Sequence, residues 1–156
     1  HMPNGFIGGL ASWLNARSPL TVKVAEHAER VQPGFAYIAP DDQHMSVVTG
    51  GVIRLHRTLP VEGHRPSVTR LFESVAQTYG YDGIGVILTG MGRDGATGLQ
   101  QMRQAGAETL AEDESTATVF GMPRVALEIG AARLAVPIDK MAAAVVKALR
   151  ERVQSR

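Results

Sequence analysis

Hydrophobic and polar residues alternate along the chain in patterns that predict short helices and strands in its first half. Pro3 precedes apolar residues at helical spacing, which predicts an amphipathic helix ending near Asn15. Four apolar or alternating runs predict strands, and they lie at residues 20–25, 35–39, 44–48 and 52–56. The last two flank Thr49-Gly50-Gly51, which predicts a short β-hairpin.

In the second half, helical and extended patterns alternate regularly. Ser67 follows a proline and can cap a helix that ends near Gly80. Strands are predicted at 84–88, 108–111 and 134–136, and helices at 94–104, 122–129 and from 139 onward. The run at 84–88 is apolar on both faces, as a buried parallel strand requires. The pattern therefore predicts an α/β fold, a doubly wound and mostly parallel sheet with helices on both faces.

The composition supports one compact domain over residues 1–156, with a frayed tail at 150–156. Hydrophobic residues make up 44% and charged residues 20%, and 16 Lys and Arg balance 15 Asp and Glu. Because the charges are interspersed, no basic stripe is available for nucleic acid, and we expect no nucleic-acid partner. The chain has no cysteine, which excludes disulfides and thiolate chemistry and is compatible with the cytoplasm, the location we expect.

Neither a membrane span nor a bound cofactor is expected from the sequence. The apolar stretch at 6–14 is short and interrupted by Gly8 and Gly9, so we expect no membrane insertion. His27, His44 and His56 lack the i, i+4 spacing of a helical metal pair, and we predict no metal site.

The loop Thr89-Gly-Met-Gly-Arg-Asp-Gly95 joins the most apolar strand to a helix, so it should lie at the carboxyl edge of the sheet. Its glycines at 90, 92 and 95 satisfy the Gly-x-Gly-x-x-Gly spacing of dinucleotide-binding loops, and Glu112 and Asp113 follow about 20 residues later. Asp94 opposes this interpretation, because a carboxylate there would repel a pyrophosphate. An acid at this edge suits a hydrolase triad, where it orients a histidine; a plain helix N-cap is the structural alternative.

Several separated segments resemble, in the same order, the catalytic domain of the chemotaxis protein-glutamate methylesterase family, CheB. They are His1-Met-Pro-x-Gly-Phe6, Val31-x-Pro-Gly-x-Ala-Tyr-Ile-Ala-Pro40, His64-Arg-Pro-Ser-Val68, Gly85-Val-Ile-Leu-Thr-Gly-Met-Gly-x-Asp-Gly95, Met102-Arg-Gln-Ala-Gly106 and Val119-Phe-Gly-Met-Pro-Arg124. A lone Gly-x-Gly-x-x-Gly is a weak signal, whereas this ordered set is specific. The resemblance runs from the first residue to about Leu149.

The resemblance implies a role for three residues and a reaction. His1 resembles the family's general base, Asp94 the acid that orients it, and Met91 the residue whose backbone N–H helps to form the oxyanion hole. The implied activity is hydrolysis of glutamyl methyl esters on chemoreceptors, with deamidation of receptor glutamines as a second activity, and no cofactor. The implied partners are the cytoplasmic helices of methyl-accepting chemoreceptors and a receiver domain of the same protein.

The chain departs from the family pattern at the nucleophile. The family carries its serine in a Gly-x-Ser-x-Gly-Gly segment ahead of the histidine, and none of the serines at 12, 18, 46, 67, 74, 115 and 155 lies in such a segment. Two strands of the family's parallel sheet are also absent. We therefore expect an N-terminally truncated domain that is inactive by itself; the alternative is a noncatalytic, receptor-docking or oligomerising descendant of the fold.

Overall fold

The computed structural model describes residues 2–154, which form five α-helices, a short 3-10 turn and seven strands. The helices are α1 (Ile7–Asn15), α2 (Val68–Tyr79), α3 (Ala96–Gln104), α4 (Met122–Glu128) and α5 (Ile138–Gln154), and the 3-10 turn is Gly80–Asp82. The strands are β1 (Thr21–Val24), β2 (Phe35–Ile38), β3 (His44–Val48), β4 (Val52–His56), β5 (Ile84–Ile87), β6 (Glu108–Glu112) and β7 (Leu134–Val136). Each predicted element is present, most of them within two residues of the predicted bounds.

Strand β1 pairs in parallel with β2, and α1 packs against β1. The hairpin of β3 and β4 is antiparallel, with His44 opposite His56, as the Thr49-Gly50-Gly51 turn predicted. The hairpin is attached to α2, because the backbone N–H of Val47 donates to Ser74 Oγ (3.0 Å) and Thr78 Oγ1 donates to the carbonyl of Val47 (2.9 Å). The hairpin therefore forms one unit with α2.

The second half forms a parallel sheet in the order β5-β6-β7, covered by helices on both faces. Alternate residues of a strand point to opposite faces, and the core follows this rule. Ile87 and Ala111 belong to a cluster with residues of α2, α3 and α4. Val86 and Leu110 pack with Met141 of α5 instead. The predicted parallel α/β architecture is confirmed.

The parallel strands of the described residues lie in two sheets, β1-β2 and β5-β6-β7. Strand β5 hydrogen-bonds to β6 along one edge, and within residues 2–154 no strand pairs with its other edge. Leu88, just beyond β5, is exposed. The apolar pattern predicts that β5 is a central strand, and among the described residues it has a neighbouring strand on one side only.

Two predicted boundaries differ from the structure. Helix α3 begins at Ala96, two residues later than predicted, because Asp94 is engaged elsewhere and Gly95 adopts a left-handed conformation with φ of 91°. Helix α5 continues to Gln154, into the stretch 150–156 for which a frayed tail is predicted. Arg152 holds this end in place: its guanidinium lies 4.3 Å from the ring centre of Tyr81 and donates to the carbonyl of Gly106 (3.1 Å).

Among residues 2–154, no helix combines the length and the apolar character that crossing a membrane requires.

Candidate active site

The loop 89–95 lies where the sequence placed it, at the carboxyl end of β5 in a parallel sheet. A cleft of about 480 Å³ opens at this position. It is bounded by Thr89–Met91 on the loop, by His64 and Val68 before and in α2, by Met122 of α4 and by residues of β5. Open α/β folds bind their ligands at this edge, so this cleft is the candidate site.

Asp94 is fully buried, and its carboxylate receives hydrogen bonds from the first turn of α2. The backbone N–H groups of Val68 and Thr69 donate to Oδ2 (2.7 Å) and Oδ1 (3.1 Å). The hydroxyl of Ser67 also donates to Oδ1 (2.7 Å). These groups lie at the positive end of the α2 dipole, which favours a carboxylate.

The structural alternative for Asp94 was a helix N-cap. Its side chain does cap a helix, but this helix is α2 and not α3, which follows Asp94 in the sequence. Asp94 caps α2, whereas α3 begins behind it with Gly95 as N-cap and without a side-chain cap. The contact is reciprocal, because Thr69 Oγ1 accepts the backbone N–H of Gly95 (2.8 Å). The carboxylate is therefore fixed between two helices at the edge of the sheet.

Met91 lies at the exposed tip of the same loop, with an exposed fraction of 82%. Within the described part of the chain, its backbone N–H donates to no carbonyl or side chain. The backbone before it is held at both polar groups of Gly90: Gly90 N–H donates to the carbonyl of Val119 (3.0 Å), and Met122 N–H donates to the carbonyl of Gly90 (2.8 Å). Met91 also lines the cleft, and a backbone donor held beside a cleft is what an oxyanion hole requires.

Glu112 is a buried residue at this edge that the sequence offered only as an acidic residue at the spacing of the dinucleotide alternative. Its side chain is almost fully buried at the end of β6, and Oε2 accepts the backbone N–H of Thr89 (2.7 Å). The Glu112 carboxylate therefore holds the backbone of Thr89 at the start of the loop. Asp113, the other candidate for that role, accepts hydrogen bonds from Ser115 and Thr116 in its own turn.

The predicted general base, His1, lies outside the described residues. The segment that follows it is attached near the site, since the backbone N–H of Gly5 donates to Asp41 Oδ2 (2.9 Å) in the loop after β2. Its neighbour Asp42 forms an ion pair with Arg65, just before α2 (2.6 Å). The two neighbouring aspartates thus link the segment after His1 to the residues that precede α2, the helix whose first turn binds Asp94.

The serines of the described chain occupy structural positions, as the sequence predicted. Ser67 N-caps α2 and donates to Asp94, and Ser74 supports the hairpin. Ser46 forms a Ser–His hydrogen bond with His56 Nε2 (3.0 Å), but the other ring nitrogen of His56 faces the Thr58 hydroxyl rather than a carboxylate. This pair belongs to the hairpin, so it does not complete the site around Asp94.

A parallel α/β fold with the buried carboxylate of Asp94 on a loop at the carboxyl edge of the sheet is an arrangement found among acyl-transfer hydrolases. Residues 1–145 match the family model described as CheB methylesterase. The chain belongs to the CheB methylesterase family.

Relatives and a solved structure agree with this assignment. The chain is 53% identical over 150 residues to a protein of Chromohalobacter salexigens named protein-glutamate methylesterase/protein-glutamine glutaminase, and the match covers 94% of this chain and 42% of that protein. A similarly named Pseudomonas aeruginosa protein is 47% identical, covering 94% and 43%. The crystal structure of the Thermotoga maritima CheB methylesterase catalytic domain superposes with a TM-score of 0.90 at 39% identity, covering 94% of this chain and 79% of that one.

The chain spans about two fifths of the length of the curated relatives it matches. Their names describe ester and amide hydrolysis, and they lend no support to dinucleotide binding or to a noncatalytic descendant.

Proposed function

We propose that this domain hydrolyses glutamyl methyl esters, and deamidates particular glutamines, on chemoreceptors by a Ser-His-Asp mechanism. The observation that supports this most is the buried carboxylate of Asp94, fixed by α2 on the same loop that presents the backbone N–H of Met91. An acid and an oxyanion donor three residues apart, beside one cleft, are two of the parts that acyl transfer needs.

In the proposed reaction, a serine oxygen attacks the ester carbonyl while the imidazole of His1 takes the hydroxyl proton. Asp94 accepts a hydrogen bond from Nδ1–H of His1, which fixes the tautomer and stabilises the imidazolium. The N–H of Met91 donates to the carbonyl oxygen as it becomes negative. The imidazolium then protonates the departing methanol, and a water molecule, activated by the same histidine, releases the glutamate and regenerates the serine.

The serine in this proposal comes from a segment outside these 156 residues. Two observations support this: the described serines have structural roles, and the cleft runs along the edge of β5 that lacks a strand partner within residues 2–154. A further parallel strand at that edge would end beside Asp94 and Met91, where a strand-to-helix turn can present a nucleophile. The domain alone is then inactive, and the complete chain is the enzyme.

The proposed partners are the cytoplasmic helices of methyl-accepting chemoreceptors and a receiver domain of the same protein. The exposed side chains of Met91 and Leu88 lie at the cleft and give it an apolar border that suits an uncharged methyl ester better than a free glutamate. Both partners are cytoplasmic, as is the location we propose for this protein.

The test uses the complete natural chain and measures methanol release from methylated receptor fragments. Asp94→Asn should lower kcat by roughly 10³–10⁴-fold, because the imidazole loses the acceptor that fixes its tautomer. Asp113→Asn is the matched control, since it changes an aspartate at the same edge whose side chain bonds only within its own turn among the described residues. Its kcat should stay within about threefold.

Two outcomes contradict the proposal. The first is an unmodified chain that folds but releases no methanol from any methylated receptor offered. The second is an Asp94→Asn variant with the activity of the Asp113→Asn variant. Circular dichroism and a thermal melt on each variant separate lost chemistry from lost folding.

A further inference from the structure

His44, the first residue of β3, is a fully buried histidine that the proposed mechanism does not use. Both of its ring nitrogens have partners. The backbone N–H of Ser67 donates to Nδ1 (3.2 Å), and Nε2 lies 3.1 Å from the carbonyl of Leu59. Because Nδ1 accepts a hydrogen bond from a backbone N–H, the ring proton must be on Nε2, which donates to Leu59. The two contacts therefore define the roles of both ring nitrogens.

The contact at Nδ1 leads directly to Asp94. The same Ser67 whose N–H His44 accepts donates its hydroxyl to Asp94 Oδ1 (2.7 Å), and its Oγ also accepts the N–H of Arg70 (3.4 Å). Ser67 thus has its backbone fixed by the hairpin and its side chain directed at the acid. A change at His44 Nδ1 acts on the carboxylate through a single intervening residue.

The hairpin that carries His44 is itself held in place by hydrogen bonds and apolar packing. Its backbone is attached to α2 at both polar groups of Val47, and Met45 and Ile53 form a small core with residues of β2 and α2. The first turn of α2, which holds Asp94, is therefore positioned from two sides, by Gly95 at Thr69 and by His44 at Ser67.

We propose that His44 is a positioning residue for Asp94: its Nδ1 fixes Ser67, and so sets the orientation of the carboxylate toward the general base. The inference rests on the proposed function, because it assigns His44 a role in the placement of that acid. A displacement of about 1 Å in a catalytic group can lower a rate by ~10²-fold, so an indirect contact of this kind is measurable.

The competing explanation is that His44 fills space. Its ring is fully buried and lies 5.4 Å from that of His56 at a tilt of 38°. Space filling predicts that the larger of two substitutes is tolerated better. Positioning through Nδ1 predicts instead that the smaller substitute is tolerated better, if only the smaller one can accept the N–H of Ser67.

Asparagine and glutamine supply that pair. In His44→Asn the amide oxygen takes the place of Nδ1 and can accept the N–H of Ser67, while the contact with Leu59 is lost. In His44→Gln the amide nitrogen takes the place of Nε2 and can donate to Leu59, while the contact with Ser67 is lost. Glutamine is the closer match in volume, so packing alone favours it.

The experiment measures kcat and KM for methanol release by the complete natural chain from methylated receptor fragments. We expect His44→Gln to have a kcat about tenfold or more below that of His44→Asn, with KM values within about threefold, since the effect acts on the reacting groups rather than on docking. His27→Asn and His27→Gln are the controls. His27 Nδ1 also accepts a backbone N–H of the hairpin, from Leu55 (3.2 Å), but it is exposed and has no bond to Ser67. These two variants should have equal kcat.

Equal kcat for the two His44 variants, or a higher kcat for His44→Gln, overturns the proposal. In either case an active unmodified chain leaves the proposed function intact, whereas an inactive one refutes that function. A readout independent of turnover is the amide resonance of Ser67, which should shift in His44→Gln and stay near its original position in His44→Asn. The opposite pattern also contradicts the proposal, and it remains measurable if either variant is inactive.

Discussion

The two ends of the loop 89–95 are held in opposite ways. Asp94 has an exposed fraction of 0%, and three donors from the start of α2 surround its carboxylate. Met91, three residues earlier, is 82% exposed, and its position depends on the backbone bonds of its neighbour Gly90. One end of the loop is fixed by side-chain and helix-terminal hydrogen bonds, the other by close packing of backbone against backbone.

This difference matches the two chemical tasks that we propose for Asp94 and Met91. An acid that orients an imidazole must keep one geometry throughout the reaction, and the buried donors around Asp94 provide that. An oxyanion donor must instead leave its N–H open for a substrate atom, so it cannot be fixed through that group. The carboxylate of Glu112 and the tight approach of Gly121 hold the Met91 end without using its N–H.

The comparison is tested most strongly by removing the N–H of Met91. Met91→Pro should lower kcat by roughly 10²–10³-fold, because one oxyanion donor is lost. Met91→Ala keeps the N–H and removes only an exposed side chain, so its kcat should stay within about threefold. Methanol release by the complete chain measures both variants. Similar kcat values for the two would show that the N–H has no catalytic role.

At the other end, the prediction concerns stability. Asp94→Ala leaves the hydroxyl of Ser67 and the N–H groups of Val68 and Thr69 without their acceptor, which should lower the free energy of unfolding by about 2–3 kcal/mol. Met91→Ala should change it by less than about 0.5 kcal/mol, because that side chain is exposed. Urea unfolding of both variants gives the comparison. An Asp94→Ala variant as stable as Met91→Ala would contradict the description of the buried end.

A smaller effect is expected from the packing beneath Met91. A β-carbon at Gly121 would lie 2.6 Å from the carbonyl oxygen of Gly90, 3.2 Å from the nitrogen of Gly92 and 3.3 Å from the α-carbon of Met91. Gly121→Ala should therefore displace the loop and lower kcat by about tenfold, at a stability cost of about 1–2 kcal/mol.

Gly9→Ala is the control for this substitution. Gly9 lies within α1, and an added β-carbon there would meet nothing within 4 Å. Alanine at this position should raise stability by about 0.5–1 kcal/mol and leave kcat unchanged. If Gly121→Ala also leaves kcat unchanged, the Met91 end is not positioned by this contact.

The smallest effect concerns pH. Burial, followed by the nearby His44 and Arg70, lowers the pKa of His56 below its ordinary value of 6.5. The unfolded chain then binds this proton more readily than the folded one, so stability falls as the pH drops below about 6.5 toward the lower folded pKa. His56→Gln should flatten this part of the stability curve, measured by urea unfolding between pH 5 and 7, by an amount equivalent to at most about one proton. An unchanged slope would contradict the assigned pKa shift.

Much of the fold could be predicted from the sequence, because local periodicity determines it. The alternation at 44–56, the cap at Ser67 and the apolar run of β5 each depend on neighbours in sequence. The loop's place at the sheet edge follows from the order of strand and helix. Asp94 could be selected as an acid from the loop and the resemblance together.

The remaining features depend on tertiary contacts, so they could not be predicted from the sequence. That Asp94 caps α2 depends on residues 25 to 27 positions away, and no local pattern encodes this. Burial of Glu112 beneath Thr89 likewise depends on the pairing of β5 with β6. The order at the end of α5 comes from Arg152 contacting Tyr81 and Gly106, which are distant in sequence. The role of His1 as general base stays a prediction.

The account depends most on the pairing of Asp94 with the imidazole of His1, and proton NMR of the complete natural chain tests it directly. We predict a strongly deshielded Nδ1–H resonance of His1 in the unmodified protein and in Asp113→Asn, and its loss or large upfield shift in Asp94→Asn. A resonance that keeps its position in Asp94→Asn would show that another group orients the histidine, and it would contradict the central claim.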